Sequence, residues 1–271
     1  SLVLFFKAKL SGVKVIWWGH HMSSTSKAWR ARIRFLLMSF MDACLFYTDK
    51  EAERFKKQCP SYNGKIWALN NGIEIKEIVG LRNDYDHRYR SKDLLFIGRL
   101  TKKSKIDLLF KAMYLDHNSS YKLDIIGDGD LIHELKSRAR YLKIDNRITW
   151  HGAITNEKKL APIINKCKVF VYPGAVGLSL IHAFSYGLPS IIHSNRKKQM
   201  PESDSFRELE NGISFIDENP SSLSNAVNYM LSADLNKMSK QAIETTRNNF
   251  NAEIMSKRFV SLISEMSNED K

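Results

Sequence analysis

The sequence predicts an α/β protein built on parallel sheets, and three observations carry that expectation. From about Asp93 onward, short apolar runs suited to buried parallel strands recur. Helical stretches separate them, and strand and helix alternate four times or more. The joints after the strands are rich in glycine and basic residues, and ligands of an open parallel sheet bind at those joints.

The strand-like runs are LLFIG (94–98), KLDIIG (122–127), RITWHG (147–152), KVFVYP (168–173), PSIIHS (189–194) and ISFI (213–216). Between them, IDLLFKAMYLDH, DLIHELKSRARYLK, NEKKLAPIINKC and LSLIHAFSYG read as helices. Together they make a doubly wound domain of Rossmann type, expected over 86–252. Residues 1–85 read as a partial domain of the same kind. There KVIWWGHH (14–21), DACLFYT and KIWALNNGI supply strands, KAWRARIRFLLMSFM a basic amphipathic helix, and DKEAERFKKQ a helix with an acid-rich first turn. NDYDHRYRSKD (83–93) is polar and patternless and reads as a linker. Three helices are expected after 217, and the last, at 253–271, is expected to pack back toward the first domain. The chain opens with serine inside an apolar segment, LVLFFKAKL, and is expected to be the rear part of a longer, amino-terminally truncated protein.

With 43% hydrophobic and 26% charged residues among 271, the composition is globular and not disordered. The net charge of +13 implies an anionic partner: a phosphate-bearing small molecule, nucleic acid or an anionic membrane surface. The basic residues are spread over both domains without aromatic interleaving, so no nucleic-acid partner is expected. Cys44, Cys59 and Cys167 have no metal spacing and fit buried thiols in a reducing compartment. No apolar run approaches the roughly 18 residues of a membrane span.

The loops give the candidate site. Gly98 and Arg99 end a strand, and Lys102, Lys103 and Lys105 follow in GRLTKKSK; a planar guanidinium and ammonium groups suit a diphosphate. In PGAVGL, Gly174 and Gly177 let backbone approach a ligand, and the helix start adds N–H groups and a dipole. His182, read about one turn into that helix, is expected to be neutral, and is either a holder of a ribose hydroxyl pair or a structural histidine. Glu202 is the acid of a basic loop, either a sugar-hydroxyl acceptor or surface. GDGD (127–130) lacks the third glycine of a dinucleotide fingerprint. WWGHHM (17–22) ends a strand with two histidines, one of which could contact a reacting group.

Taken in order, FIGRL…KIDLL…KA, DIIGDGDL, FVYPGAVGLSLIHAFSYGLPSII and ENGISF resemble the family 4 glycosyltransferases of the GT-B fold, strongly over 94–216 and moderately over 14–75. The resemblance implies two Rossmann-like domains, the first incomplete here. It implies a retaining, metal-independent transfer from a nucleotide-diphosphate sugar, with no other cofactor, to a glycan or lipid-linked glycan in surface polysaccharide or lipopolysaccharide synthesis. Arg99 and Lys105, or Lys103, would neutralise the diphosphate. Gly174, Ala175, Val176, Gly177 and Leu178 would meet phosphates and sugar, and Gly98 and Gly127 would line the donor. The turn with Gly152 and Ile154 would lie along the base, and His20 would reach the transferred sugar. Two departures stand out: glycine and histidine occupy 174 and 182, where the family usually has glutamates, and Ser104 occupies the usual phosphate-lysine position. Such wording marks a PGxxGLSxxHA branch. The alternative is a module that binds nucleotide and transfers nothing. The expected setting is cytoplasmic, with the basic helix of Lys27, Arg30, Arg32 and Arg34 suited to an anionic inner membrane face.

Overall fold

Six of the apolar runs form one parallel sheet, and three in the front part form another. The computed structural model describes residues 2–20, 28–116 and 120–268; His21 and Lys27 lie outside them. Residues 1–72 with 249–271 make one unit and residues 73–248 a second.

In chain order the first unit holds α1 (Leu2–Leu10), β1 (Ile16–Trp18), α2 (Ala28–Ser39), β2 (Ala43–Phe46), α3 (Asp49–Gln58) and β3 (Lys65–Ala68). The second begins with α4 (Lys76–Leu81), β4 (Lys92–Ile97), α5 (Ile106–Leu115), β5 (Leu123–Ile126), α6 (Ile132–Tyr141) and β6 (Ile148–Gly152). It continues with α7 (Glu157–Ile164), β7 (Cys167–Tyr172), α8 (Leu178–Ser185), β8 (Ser190–His193), β9 (Gly212–Phe215), α9 (Pro220–Ser232) and α10 (Asn236–Asn249). The final helix, α11 (Ala252–Asn268), belongs to the first unit.

The first unit's sheet runs β1-β2-β3, all parallel. Every residue of β2 is buried, as a central parallel strand requires. Leu262 and Met266 of α11 are buried against Ala43, Leu45 and Leu69. Arg258 fastens the same helix, with Nη1 2.6 Å from Asp49 Oδ1 and 3.1 Å from the Ala68 carbonyl.

The second sheet has the order β6-β5-β4-β7-β8-β9, again all parallel. Strand order reverses between β4 and β7, which leaves a crevice beyond their carboxyl ends. Alternation along β4 sends Leu94 and Phe96 to a core shared with α5, α6 and α9, and Leu95 to a second core with α7 and α8. The sheet is thus covered on both faces, which explains why its strands read as unbroken apolar runs. Among the described residues no helix is long and apolar enough to cross a membrane.

The stretch read as a linker is part of the second unit. Two of its side chains, Tyr85 and the buried Arg90, answer backbone carbonyls that would otherwise be unpaired, while Asp84, Arg88 and Tyr89 remain exposed. Tyr85 Oη donates to the Lys168 carbonyl at 2.8 Å, and Arg90 Nη1 donates to Ile164 and Cys167 carbonyls at 3.1 and 2.8 Å. The Arg90 guanidinium lies 4.2 Å from the Tyr85 ring centre. Burial lowers its pKa to about 10, so it stays charged at neutral pH. Arg90→Ala should therefore lower stability by about 2–3 kcal/mol, read from a urea midpoint at unchanged slope.

Candidate functional site

The carboxyl ends of β4, β5 and β7 meet through glycines. A Cβ on Gly127, whose φ is +147°, would overlap the Gly98 carbonyl oxygen, and one on Gly98 would stand 2.9 Å from the Tyr172 ring. The loop after β5 is tied in turn to the turn after β6, with Gly127 N–H donating to the Gly152 carbonyl at 2.8 Å. Gly152 has φ +71° and open space around it, and Ile154 packs on the α7–α8 core. A register shift between Ile125 and Ile126 accompanies this turn. His151 Nε2 lies 2.7 Å from Oδ1 of the buried Asp124 there.

Arg99, directly after Gly98, is exposed, and among the described residues no hydrogen bond or ion pair holds it. Burial raises the pKa of the neighbouring Tyr172 hydroxyl, and the charge of Arg99 works against that rise. Lys102 and Lys103 sit exposed in the following 3-10 turn, Lys102–Ser104.

Lys105 departs from expectation. It has φ +51°, a left-handed conformation that turns the chain into α5. Its ammonium lies 2.7 Å from Asp217 Oδ1 and 2.6 Å from Glu218 Oε1, just beyond β9. Lys198 Nζ reaches the other Asp217 oxygen at 2.9 Å. Lys105 is thus neutralised by two carboxylates and is not an open phosphate ligand. Burial raises the Asp217 carboxyl, but hydrogen bonds from Lys105 and Lys198 outweigh it and hold the group well below the carboxylate range.

Gly174 also differs from the expected ligand contact. A Cβ there would overlap the Lys103 carbonyl oxygen, so the packing of two loops explains the glycine. Val176 is buried, and its N–H donates to Gln199 Oε1 at 2.8 Å, so that amide is already engaged. Gln199 in turn donates to the His193 carbonyl at 3.0 Å, locking the PGAVGL loop to the end of β8. Ala175 is half-buried, Leu178 exposed, and Gly177 caps α8. Glu202 is buried and not a surface acid; Oε2 would lie 3.7 Å from a Cβ on Gly177.

His182 stands in the last turn of α8, not its first. Its Nε2 is 3.0 and 3.2 Å from the Glu157 oxygens, and Tyr186 Oη donates to Glu157 Oε1 at 2.5 Å. Burial raises the Glu157 carboxyl, and these two hydrogen bonds lower it further than burial raises it. Nε2 of His182 is therefore not open for a ribose hydroxyl, but a half-buried carboxylate stands beside it. Glu157 was legible in the sequence only as an acid in the first turn of a helix, where it suits the dipole. Gln199 had no sequence signal.

His20 belongs to the first unit. Its Nδ1 is 3.2 Å from Oε1 of the buried Glu51, and its ring centre is 4.5 Å from that of Tyr47. The structure thus brings Gly98, Arg99, Lys103, Gly127, Gly152, Gly174–Leu178 and Glu202 to the carboxyl edge of one sheet.

Residues 81–249 match the model of a family described as glycosyl transferases group 1. An uncharacterized glycosyltransferase of Methanocaldococcus jannaschii is 26% identical over 177 residues, 63% of this chain and 44% of that protein. Sucrose-phosphate synthase from Thermosynechococcus elongatus superposes with a TM-score of 0.71 at 18% identity, over 92% of this chain and 64% of that one. Anabaena HepE, solved in complex with UDP, superposes with a TM-score of 0.72 at 13% identity, over 96% and 74%. The chain spans under half the length of the archaeal relative and under two thirds of the synthase.

Two outcomes are expected. Gly174→Ala should cost about 1–3 kcal/mol through overpacking, whereas Gly177→Ala, with only ordinary contacts, should change the denaturation midpoint little. Asp217 has a depressed pKa, so its stabilisation is present above its unfolded value near 3.9 and is lost as pH falls through the folded value. The urea midpoint should accordingly fall more steeply below about pH 4 for the wild type than for Asp217→Asn.

Proposed function

The chain belongs to the glycosyl transferases of group 1, with an α/β GT-B-type fold, and from that premise we propose that it moves a sugar from a nucleoside-diphosphate sugar to a glycan or lipid-linked glycan. The observation that carries this reading is Arg99: an unpaired guanidinium beside the β4–β7 crevice, neighbouring Tyr172 at the end of β7. Arg99 and Lys103 take the diphosphate, with the amino end of α8 adding its dipole. The sugar is transferred with retention, so the diphosphate leaves on the face that the acceptor attacks. Stabilising its growing charge is then the main task, and these cations meet it without a further cofactor or metal. Glu157, oriented by His182 and Tyr186, accepts from the ribose hydroxyls in this reading, since a carboxylate keeps lone pairs beyond those two bonds. The PGxxGLSxxHA wording places this chain in a variant branch of the family 4 enzymes, and here His182 and the separate Glu157 stand in for the acid of α8. The acceptor belongs to surface polysaccharide or lipopolysaccharide synthesis, at the cytoplasmic face of an anionic membrane.

One observation favours a second reading, a module that binds nucleotide without turnover: Gly174 and Lys105, two expected contacts, are engaged by the protein itself. Sugar release from a nucleotide sugar separates the two.

HepE from Anabaena and TarM from S. aureus were both solved with UDP, so UDP leads a thermal-shift panel with GDP, dTDP, ADP and CMP. At a hundred times its dissociation constant, a nucleotide should add about 2.7 kcal/mol, and Arg99→Ala should abolish the rise. Glu157→Gln should weaken the diphosphate about tenfold but leave its 2′,3′-dideoxy analogue unchanged. A folded protein that no nucleotide stabilises would refute the donor site. Equal weakening of both ligands would refute the ribose role alone.

A further inference from the structure

Helix α2 is apolar on two opposite sides. Met38 is fully buried in the first unit's core, with Phe35 packed against the same cluster. At about 100° per residue, Trp29, Ile33, Leu36 and Phe40 fall within roughly 60° of one another on the far side. They are 56%, 48%, 59% and 55% exposed, large values for such side chains. Phe40 lies one residue past the helix, but its N–H still bonds the Leu37 carbonyl at 3.2 Å. A helix on a globular surface ordinarily presents polar residues there.

Arginines border this stripe. By helical position Arg32 lies along one edge and Arg30 along the other, with the Arg30 guanidinium 5.3 Å from the Trp29 ring centre. The first 41 residues of the sequence contain seven Lys and Arg and no Asp or Glu, and of these Lys9 is ion-paired with Asp42 at 2.8 Å. What covers the stripe must therefore be apolar within and anionic at its rim. A second copy of the same face would oppose arginine to arginine, which association disfavours. A bilayer with anionic headgroups meets both demands: tryptophan favours the headgroup level, and arginine pairs with phosphate.

We propose that α2 is a membrane-docking helix. Its Trp29–Phe40 stripe enters the headgroup boundary of an anionic bilayer, and Arg30 and Arg32 lie among the lipid phosphates. The inference rests on the lipid-linked acceptor proposed above only in choosing a bilayer as the anionic surface, and its test needs no nucleotide.

The full chain is pelleted with vesicles of phosphatidylcholine containing about a third phosphatidylglycerol, and with vesicles of phosphatidylcholine alone. Binding to the anionic vesicles is expected, at least about tenfold weaker without the anionic lipid or in about 1 M salt. Trp29→Ser with Ile33→Ser should lose about tenfold or more at an unchanged denaturation midpoint, since both side chains are exposed. Tyr229→Ser, an exposed aromatic of α9 in the other unit, should bind as the wild type does. Absence of binding to either vesicle, or full binding by the double variant, overturns the proposal. So does a wild-type dimer that the double variant converts to monomer, which would make the stripe a contact between copies. Nucleotide titration of the same samples keeps the two readings apart: vesicle binding without nucleotide binding sinks the donor site and leaves the docking helix standing.

Discussion

The second unit depends on backbone approaching backbone at the ends of its central strands. Gly127 lies against the Gly98 carbonyl, Gly129 against that of Leu100, and Gly174 against that of Lys103. No side chain fits at these points, so the loop after β4 is pressed between those after β5 and β7. A loop held on both sides cannot fold inward, and Arg99 is left exposed at its base. The same confinement explains the turn that follows. The chain must enter α5 within a few residues of Thr101, and it does so through a 3-10 turn and a left-handed Lys105. A lysine in that conformation is uncommon and costs conformational energy. Its ion pairs with Asp217 and Glu218 offset that cost and join the β4 loop to the end of β9.

Net charge is a poor guide to which cations are open. Arg82, Arg90 and Arg147 all donate to backbone carbonyls, and Lys105 and Lys198 share one carboxylate. These groups serve the fold, and each is anchored by partners distant in sequence. What remains near the crevice is a short basic run, Arg99, Lys102 and Lys103, within a few residues of the strand-order reversal. The other concentration of charge lies in the first 41 residues. The two differ in kind: one is a compact set beside a helix start, the other an arginine-edged apolar stripe.

The strands and most helices were legible because a parallel sheet covered on both faces reads as unbroken apolar runs, whatever else the chain does. The positions of the glycines were legible as well, but their reasons were not. Gly174 looks like a place for ligand to approach, yet the atom that excludes a side chain belongs to Lys103, about seventy residues earlier. Lys105 looked open because its acids lie more than a hundred residues away. The 83–93 stretch looked like a linker because polar residues imply water until carbonyl partners are known. In each case local chemistry was read correctly and the missing quantity was a contact between distant segments.

The His182–Glu157 pair shows how the fold can place a carboxylate where the local sequence has none. α8 carries its histidine in the last turn, where helix carbonyls favour a donor or a positive charge. α7 carries its glutamate in the first turn, where free N–H groups favour an anion. Both helices lie on the same face of the sheet, in one core, and the two ends meet. Each residue therefore sits at the helix end that suits it before the pair forms. Tyr186, one turn beyond His182, adds a second donor to the same oxygen. Burial alone would push this carboxyl toward its neutral form, and hydrogen bonds from His182 and Tyr186 outweigh that effect. A half-buried anion built from two helices is more rigidly held than one on a loop, because neither helix can shift without disturbing the core beneath it.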